Sequence, residues 1–195
     1  MDGKKMIITI GREFGSGGHE IGEKVARLLN IRFYDKNLIE LAADRSGLDA
    51  ESVAPSDERA PGLFASGYAP TLSDQLFYAQ SDLIRSLAET ESFVIVGRCA
   101  NSVLYGVADT LNVFIYAPLH DRIERVMNRY LIENEERARK EISRVDKIRR
   151  NYYQYYTEYR WGSQNGHDIL INSSMLGIDE TAQLIAMLAK KKLGG

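Results

Sequence analysis

The first apolar run of the chain, residues 6–10 (MIITI), is short, β-branched and continuous. A strand buried on both faces needs no polar alternation, so this run predicts a buried strand of a parallel sheet. Ile21, Val25, Leu28 and Leu29 follow at i, i+4, i+7 and i+8, one face of an amphipathic helix. Residues 31–34 (IRFY) read as a second strand, so the opening segment is a βαβ unit, right-handed by default. A helix is expected over 37–45. Residues 46–70, with Pro55, Pro61, Gly62, Gly67 and Pro70, read as an irregular insertion before a helix over 73–90. The β-rich runs 93–96 (FVIV) and 111–116 (LNVFIY) predict two more strands. Pro118 suits the first turn of a helix running to Leu131. A charged helix follows over 135–159, then a strand over 168–171 (DILI) and a closing helix over 178–192 with a basic C-terminal end. Strands alternating with helices imply an α/β fold, its parallel sheet covered on both faces.

Composition narrows the class. At 195 residues, 44% hydrophobic and 27% charged, the chain reads as a single globular domain spanning 1–195. No apolar run approaches the roughly 20 residues that cross a bilayer. The single cysteine, Cys99, cannot form an internal disulfide, and it reads as a small buried residue in a cytoplasmic protein. A net charge of −2 gives no general attraction to nucleic acid polymers or membranes. The charge is uneven, however: residues 118–161 hold 11 Lys and Arg against 8 Asp and Glu.

The chemistry concentrates between the first strand and the first helix. Gly11, Gly15, Gly17, Gly18 and Gly22 are interleaved there with polar residues. Glycines in this position let main-chain N–H groups converge on an anion, and the helix dipole adds positive charge. A dinucleotide-binding fingerprint starting at Gly15 would place Glu20 where its third glycine belongs, although Asp35 stands where a ribose-binding acid is expected. A phosphate-binding loop ending at Gly17 would place Arg12 at its first position, Gly18 at the lysine and His19 at the Ser/Thr. A turn without a ligand would carry the backbone cost of so many glycines for nothing.

Residues 10–18 (IGREFGSGG), with Ile21 and Gly22, resemble the opening of the cytidylate kinase-like family, a branch of the P-loop nucleoside monophosphate kinases. The resemblance continues through 33–36 (FYDK), 94–98 (VIVGR) and 168–173 (DILINS), in the family's order. It implies a three-layer fold of the P-loop nucleoside triphosphate hydrolase type. An acceptor-binding helical insertion would span 36–91 and a basic helical lid 118–161. The implied reaction moves the γ-phosphate of ATP, with Mg²⁺, to CMP or a similar acceptor. Gly15, Ser16, Gly17, Gly18 and His19 would then cradle the donor phosphates. Asp35 would help hold the acceptor nucleotide, unless it only caps the following helix. Arg98, at the carboxyl edge of the sheet, would grip the acceptor's phosphate.

Arg122, Arg125 and Arg129 lie at i, i+3 and i+7 on one helix face, and the resemblance makes them lid arginines that neutralise the transferring group. A solvated charged face is the bland alternative. Lys140, Arg144 and Lys147 form a similar ridge on the next helix, and Arg149 and Arg150 are further candidates. Tyr152, Tyr155, Tyr156 and Tyr159 form a stripe that reads as packing of that helix against the body. His120 and His167 have no partners at metal-ligand spacing, so no protein-held metal site is expected. The sequence also departs from the family. Val96 stands where cytidylate kinases carry an acid before the Gly-Arg pair, and Cys99 where an aspartate follows it. Arg12 is the expected substitute for the missing lysine, with His19 as an accessory donor and Glu13 or Asp35 beside hydrated Mg²⁺. A catalytically silent nucleotide-binding sensor is the alternative function.

Overall fold

The computed structural model describes residues 5–35, 37–38, 41–42 and 71–194. The expected helix over 37–45 and the irregular segment over 46–70 therefore lie largely outside the described residues. In chain order the elements are β1 (Ile7–Arg12), α1 (Gly18–Leu29), β2 (Arg32–Tyr34), α2 (Leu72–Thr90), β3 (Phe93–Val96) and α3 (Ala100–Val103). There follow β4 (Thr110–Tyr116), α4 (Leu119–Tyr130), α5 (Glu135–Tyr156), β5 (Ile169–Asn172) and α6 (Ser173–Leu193). The five strands form one parallel sheet in the order β2-β3-β1-β4-β5.

Because β1 is central, its side chains are buried on both faces, as the unbroken apolar run requires. Ile8 and Ile10 join Val94, Val96, Val113 and Ile115 in a core closed by Ile21 and Val25 of α1 and Ala182 and Ile185 of α6. Ile7, Phe93 and Ile95 face the other way, onto Leu83, Ile84 and Leu87 of α2 and Ala100 of α3. A third, smaller core of Ile123, Val126, Ala138 and Ile142 joins α4 to α5, with Phe14 of the loop after β1 packed against it.

The differences from the expected elements fall at the carboxyl edge of the sheet. β1 continues to Arg12, paired with Ile115 of β4, where the apolar run had suggested an end at Ile10. α1 begins at Gly18, a turn before its first apolar residue. The four-residue α3 has no apolar periodicity to announce it, and α5 stops at Tyr156 rather than Tyr159. α6 starts at Ser173 and carries a kink at Gly177 before the periodic stretch. The tyrosine stripe packs inward: Tyr152 and Tyr153 are buried, and Tyr156 stacks on Phe77 of α2 with ring centroids 3.9 Å apart. The Tyr156 hydroxyl also donates to Asp74 in the capping box that opens α2.

Ile185 is fully buried where α6 meets the sheet. Ile185→Ala is expected to cost about 2–5 kcal/mol and to lower Tm by about 5–15 °C, read by urea and thermal unfolding.

Candidate functional site

The loop between β1 and α1 is shaped by Gly15 and Gly17, both at φ 80°, a left-handed conformation that a Cβ disfavours. Gly17 is the N-cap of α1 and supplies no side-chain acceptor, so the first amides of the helix are left for another partner. Those amides and the positive end of the dipole border a cleft of about 290 Å³. The Ser16 side chain is spent inside the loop, donating to the Glu13 carbonyl at 2.9 Å. Its own carbonyl accepts from Ser173 at 2.6 Å, which anchors the loop to the start of α6.

Arg12 and Gly18 compete for one volume. A Cβ on Gly18 would lie 2.5 Å from the Cβ of Arg12 and 3.1 Å from its Cγ. Position 18 is therefore closed to lysine, and the stem of Arg12 occupies the room a lysine's stem would need. Arg12, Arg125, Arg129 and Arg149 all line the cleft, with Glu13 and Asp35 as its acids.

The three arginines of α4 have separate surroundings. Arg122 is 8% exposed and donates to Asp146 of α5 at 2.6 Å and to the Phe14 carbonyl at 3.3 Å. Arg125 donates to the Gly15 carbonyl at 2.6 Å, and Arg129 is an exposed residue at the cleft wall. The ridge of Lys140, Arg144 and Lys147 does not line this cleft, and Arg144 is held by Glu141 of its own helix. Arg149 does line it, with its guanidinium 5.6 Å from the centre of the Phe14 ring.

Asp146 ties α5 to the loop. One of its oxygens accepts the Phe14 amide at 2.7 Å and the other accepts Arg122. Nothing in the spacing of the sequence marks Asp146 as the buried anchor. Glu13 sits beside this group, accepting from the Ala117 amide at 3.2 Å and lying 3.5 Å from Arg122. Burial raises its carboxyl above the ordinary 4.5, against the lowering effect of Arg122 and the Ala117 amide.

His19 and Asp35 meet across the cleft: His19 Nε2 lies 3.0 Å from Asp35 Oδ2. Arg98 lies elsewhere, lining a second, smaller cleft together with Cys99, Tyr152, Tyr153 and His167. Arg12 and Arg149 line both clefts, which makes them the boundary between the two. Gly97, Arg98 and Cys99 have φ of 81°, 61° and 53° in succession, a costly conformation for the two non-glycine residues. His167 was passed over in the sequence for want of a metal partner. Its Nδ1 lies 2.8 Å from the Ser163 carbonyl, so it carries the proton and leaves Nε2 as an acceptor. Burial lowers the pKa of this imidazole and favours that neutral form.

A parallel sheet in this order, with a glycine loop between its central strand and α1, defines a P-loop kinase fold. Solved structures bear this out. The chain is similar to a shikimate kinase from Acinetobacter baumannii in complex with shikimate (TM-score 0.52, 16% identity, 97% of this chain and 94% of that one). It is also similar to an APS kinase from Mycobacterium tuberculosis in complex with AMPPNP and APS (TM-score 0.55, 18% identity, 96% and 99%). An uncharacterized protein from Eubacterium ventriosum matches at TM-score 0.76 and 31% identity over 95% of this chain and 99% of that one. No curated protein matches the chain. The model of the cytidylate kinase-like family matches residues 7–175, and the chain belongs to that family. Among the described residues no helix is long and apolar enough to cross a membrane.

Two measurements check the electrostatics around the loop. Asp146→Ala, which leaves buried Arg122 without its closest carboxylate, is expected to cost about 3–5 kcal/mol in urea unfolding. The raised pKa of Glu13 means that the folded state holds its proton more tightly than the unfolded state. This contribution to stability is present below pH 4.5 and is lost as pH rises through the folded value. Glu13→Gln should therefore show a smaller fall in Tm than the wild type from pH 4.5 upward.

Proposed function

We propose that the protein is a cytoplasmic nucleotide kinase that transfers the γ-phosphate of ATP to CMP or a similar nucleoside monophosphate. The observation that carries this reading is the exchange of Arg12 for the loop lysine. The arginine's stem fills the space in front of Gly18, and its side chain lines both clefts. A guanidinium delivered from the end of β1 supplies the charge that the first turn of α1 lacks, and its fork suits phosphate oxygens.

The parts divide the work as follows. The main-chain amides of Gly15, Gly17, Gly18 and His19 bind the donor phosphates at the end of the helix dipole, while the expected share of Ser16 falls away because its amide donates to the Glu13 carbonyl at 3.3 Å. Arg125 keeps the Gly15 carbonyl turned away from that anion, while Arg122 and Asp146 fix the loop from behind. Arg12, Arg129 and Arg149 stabilise the charge that develops on the transferring group, which is where phosphoryl transfer gains most. Asp35 and Arg98 hold the acceptor, with residues 36–91 as the acceptor-binding insertion and 118–161 as the lid region. The distal end of α4, with Arg129, is the part that would close and exclude water.

The donor set fits Mg²⁺ held largely by water and phosphate. Glu13 brings a carboxylate to the cleft. Magnesium needs only one or two such carboxylates, and when bound it neutralises charge on the donor phosphates.

Steady-state kinetics with ATP, Mg²⁺ and a panel of monophosphates test the reading. Arg12→Ala is expected to weaken ATP binding and to lower kcat by about 10²–10³-fold. Gly18→Lys alone should also fail, because the new side chain overlaps Arg12. The double variant Arg12→Gly/Gly18→Lys should recover much of the loss. Tight ATP binding with no diphosphate formed from any acceptor would instead make the chain a nucleotide-binding sensor.

A further inference from the structure

We infer that His19 is a positioning residue for the acceptor, holding the Asp35 carboxylate ready to receive an N–H or O–H of the incoming molecule. This rests on the kinase reading above and adds to it a role for the side chain that replaces the loop's Ser/Thr. The His19 main chain belongs to the first turn of α1, among the amides at the donor cradle. Its imidazole instead turns to the neighbouring end of β2. Nε2 meets Asp35 at 3.0 Å, and the ring packs edge-on against Phe33 with centroids 5.4 Å apart and planes at 82°. One residue thus gives its backbone to one side of the cleft and its side chain to the other.

The carboxylate it holds is incomplete. Asp35 is 8% exposed, and among the described residues no hydrogen-bond donor reaches its solvent-shielded Oδ1. A buried carboxylate oxygen left this way is costly, and the cost is recovered when a ligand brings a donor to it. Among the described residues, His19 is the charge partner beside the other oxygen, at ion-pair distance. The carboxylate lines the same cleft as the phosphate loop. A bound group there is therefore oriented relative to the donor. The ligand class that fits is a phosphorylated acceptor bearing an amino or hydroxyl group, as the base and ribose of a nucleoside monophosphate do.

Titration calorimetry on the full chain tests this with wild type, His19→Ala and His19→Gln. The probes are a non-hydrolysable ATP analogue with Mg²⁺, and then CMP, UMP, AMP and GMP in its presence. His19→Ala is expected to weaken the monophosphate that the wild type binds by about tenfold, and by more than it weakens the ATP analogue. His19→Gln keeps an N–H able to reach Asp35 and should restore most of the acceptor affinity. Equal monophosphate affinity in wild type and His19→Ala overturns the proposal and leaves the kinase reading standing. A loss confined to the ATP analogue, or to its Mg²⁺ dependence, also overturns it, since the pair would then serve the donor. A wild type that binds the ATP analogue but no monophosphate overturns the acceptor reading and this proposal together.

Discussion

The end of β1 and the first turn of α1 approach so closely that they cannot both carry a side chain. With Arg12 and Gly18 at that contact, a Cβ on the glycine would come within 2.5 Å of the arginine's. The loop between them is fixed in length by Gly15 and Gly17 in left-handed conformations, and α1 is seated by Ile21 and Val25 in the sheet core. With the larger residue on the strand, Arg12 lines both clefts beside Arg149 of α5, at the wall the two clefts share.

The helical pair α4 and α5 is not an appendage to this loop. Asp146 accepts both the Phe14 amide and the Arg122 guanidinium, and Arg125 holds the Gly15 carbonyl. A buried ion pair of this kind contributes less net stability than its geometry suggests, because both ions are desolvated. What it does provide is a fixed orientation: the loop's main chain is held by charged groups on its outer side, and its inner side is left for an anion. Arginines that look equivalent on a helical wheel thus do different things, because one is buried at the base and another stands exposed toward the tip.

Much of the framework was legible from local patterns. Continuous apolar runs gave the strands, periodic ones the helices, and the position of the glycines the loop. These signals depend only on near neighbours and on burial, which the sequence carries directly. The boundaries were less legible where hydrogen bonding, not apolarity, decides them. The extension of β1 to Arg12, the early start of α1 and the brief α3 all lie at the carboxyl edge, where side chains are polar. Of the site residues, the loop glycines, Arg12 and Asp35 stood out by spacing. Arg149 was a candidate that spacing could not rank, and Asp146 and His167 did not stand out, since each looks like an ordinary surface residue until the helices are packed.

Taken alone, the chain determined an alternating α/β order, a phosphate-type loop after the first strand, and Gly18 and His19 at the places where such a loop carries lysine and Ser/Thr. Only the tertiary structure decided that the stem of Arg12 lies against Gly18, that the His19 ring lies beside Asp35, and that Arg98 borders a separate cleft. The reason is distance along the chain. Phe14 to Asp146 and His19 to Asp35 are contacts between elements, and Arg12 and Arg149 reach one cleft wall from β1 and α5, all set by sheet order and helix packing. No periodicity within one element encodes them.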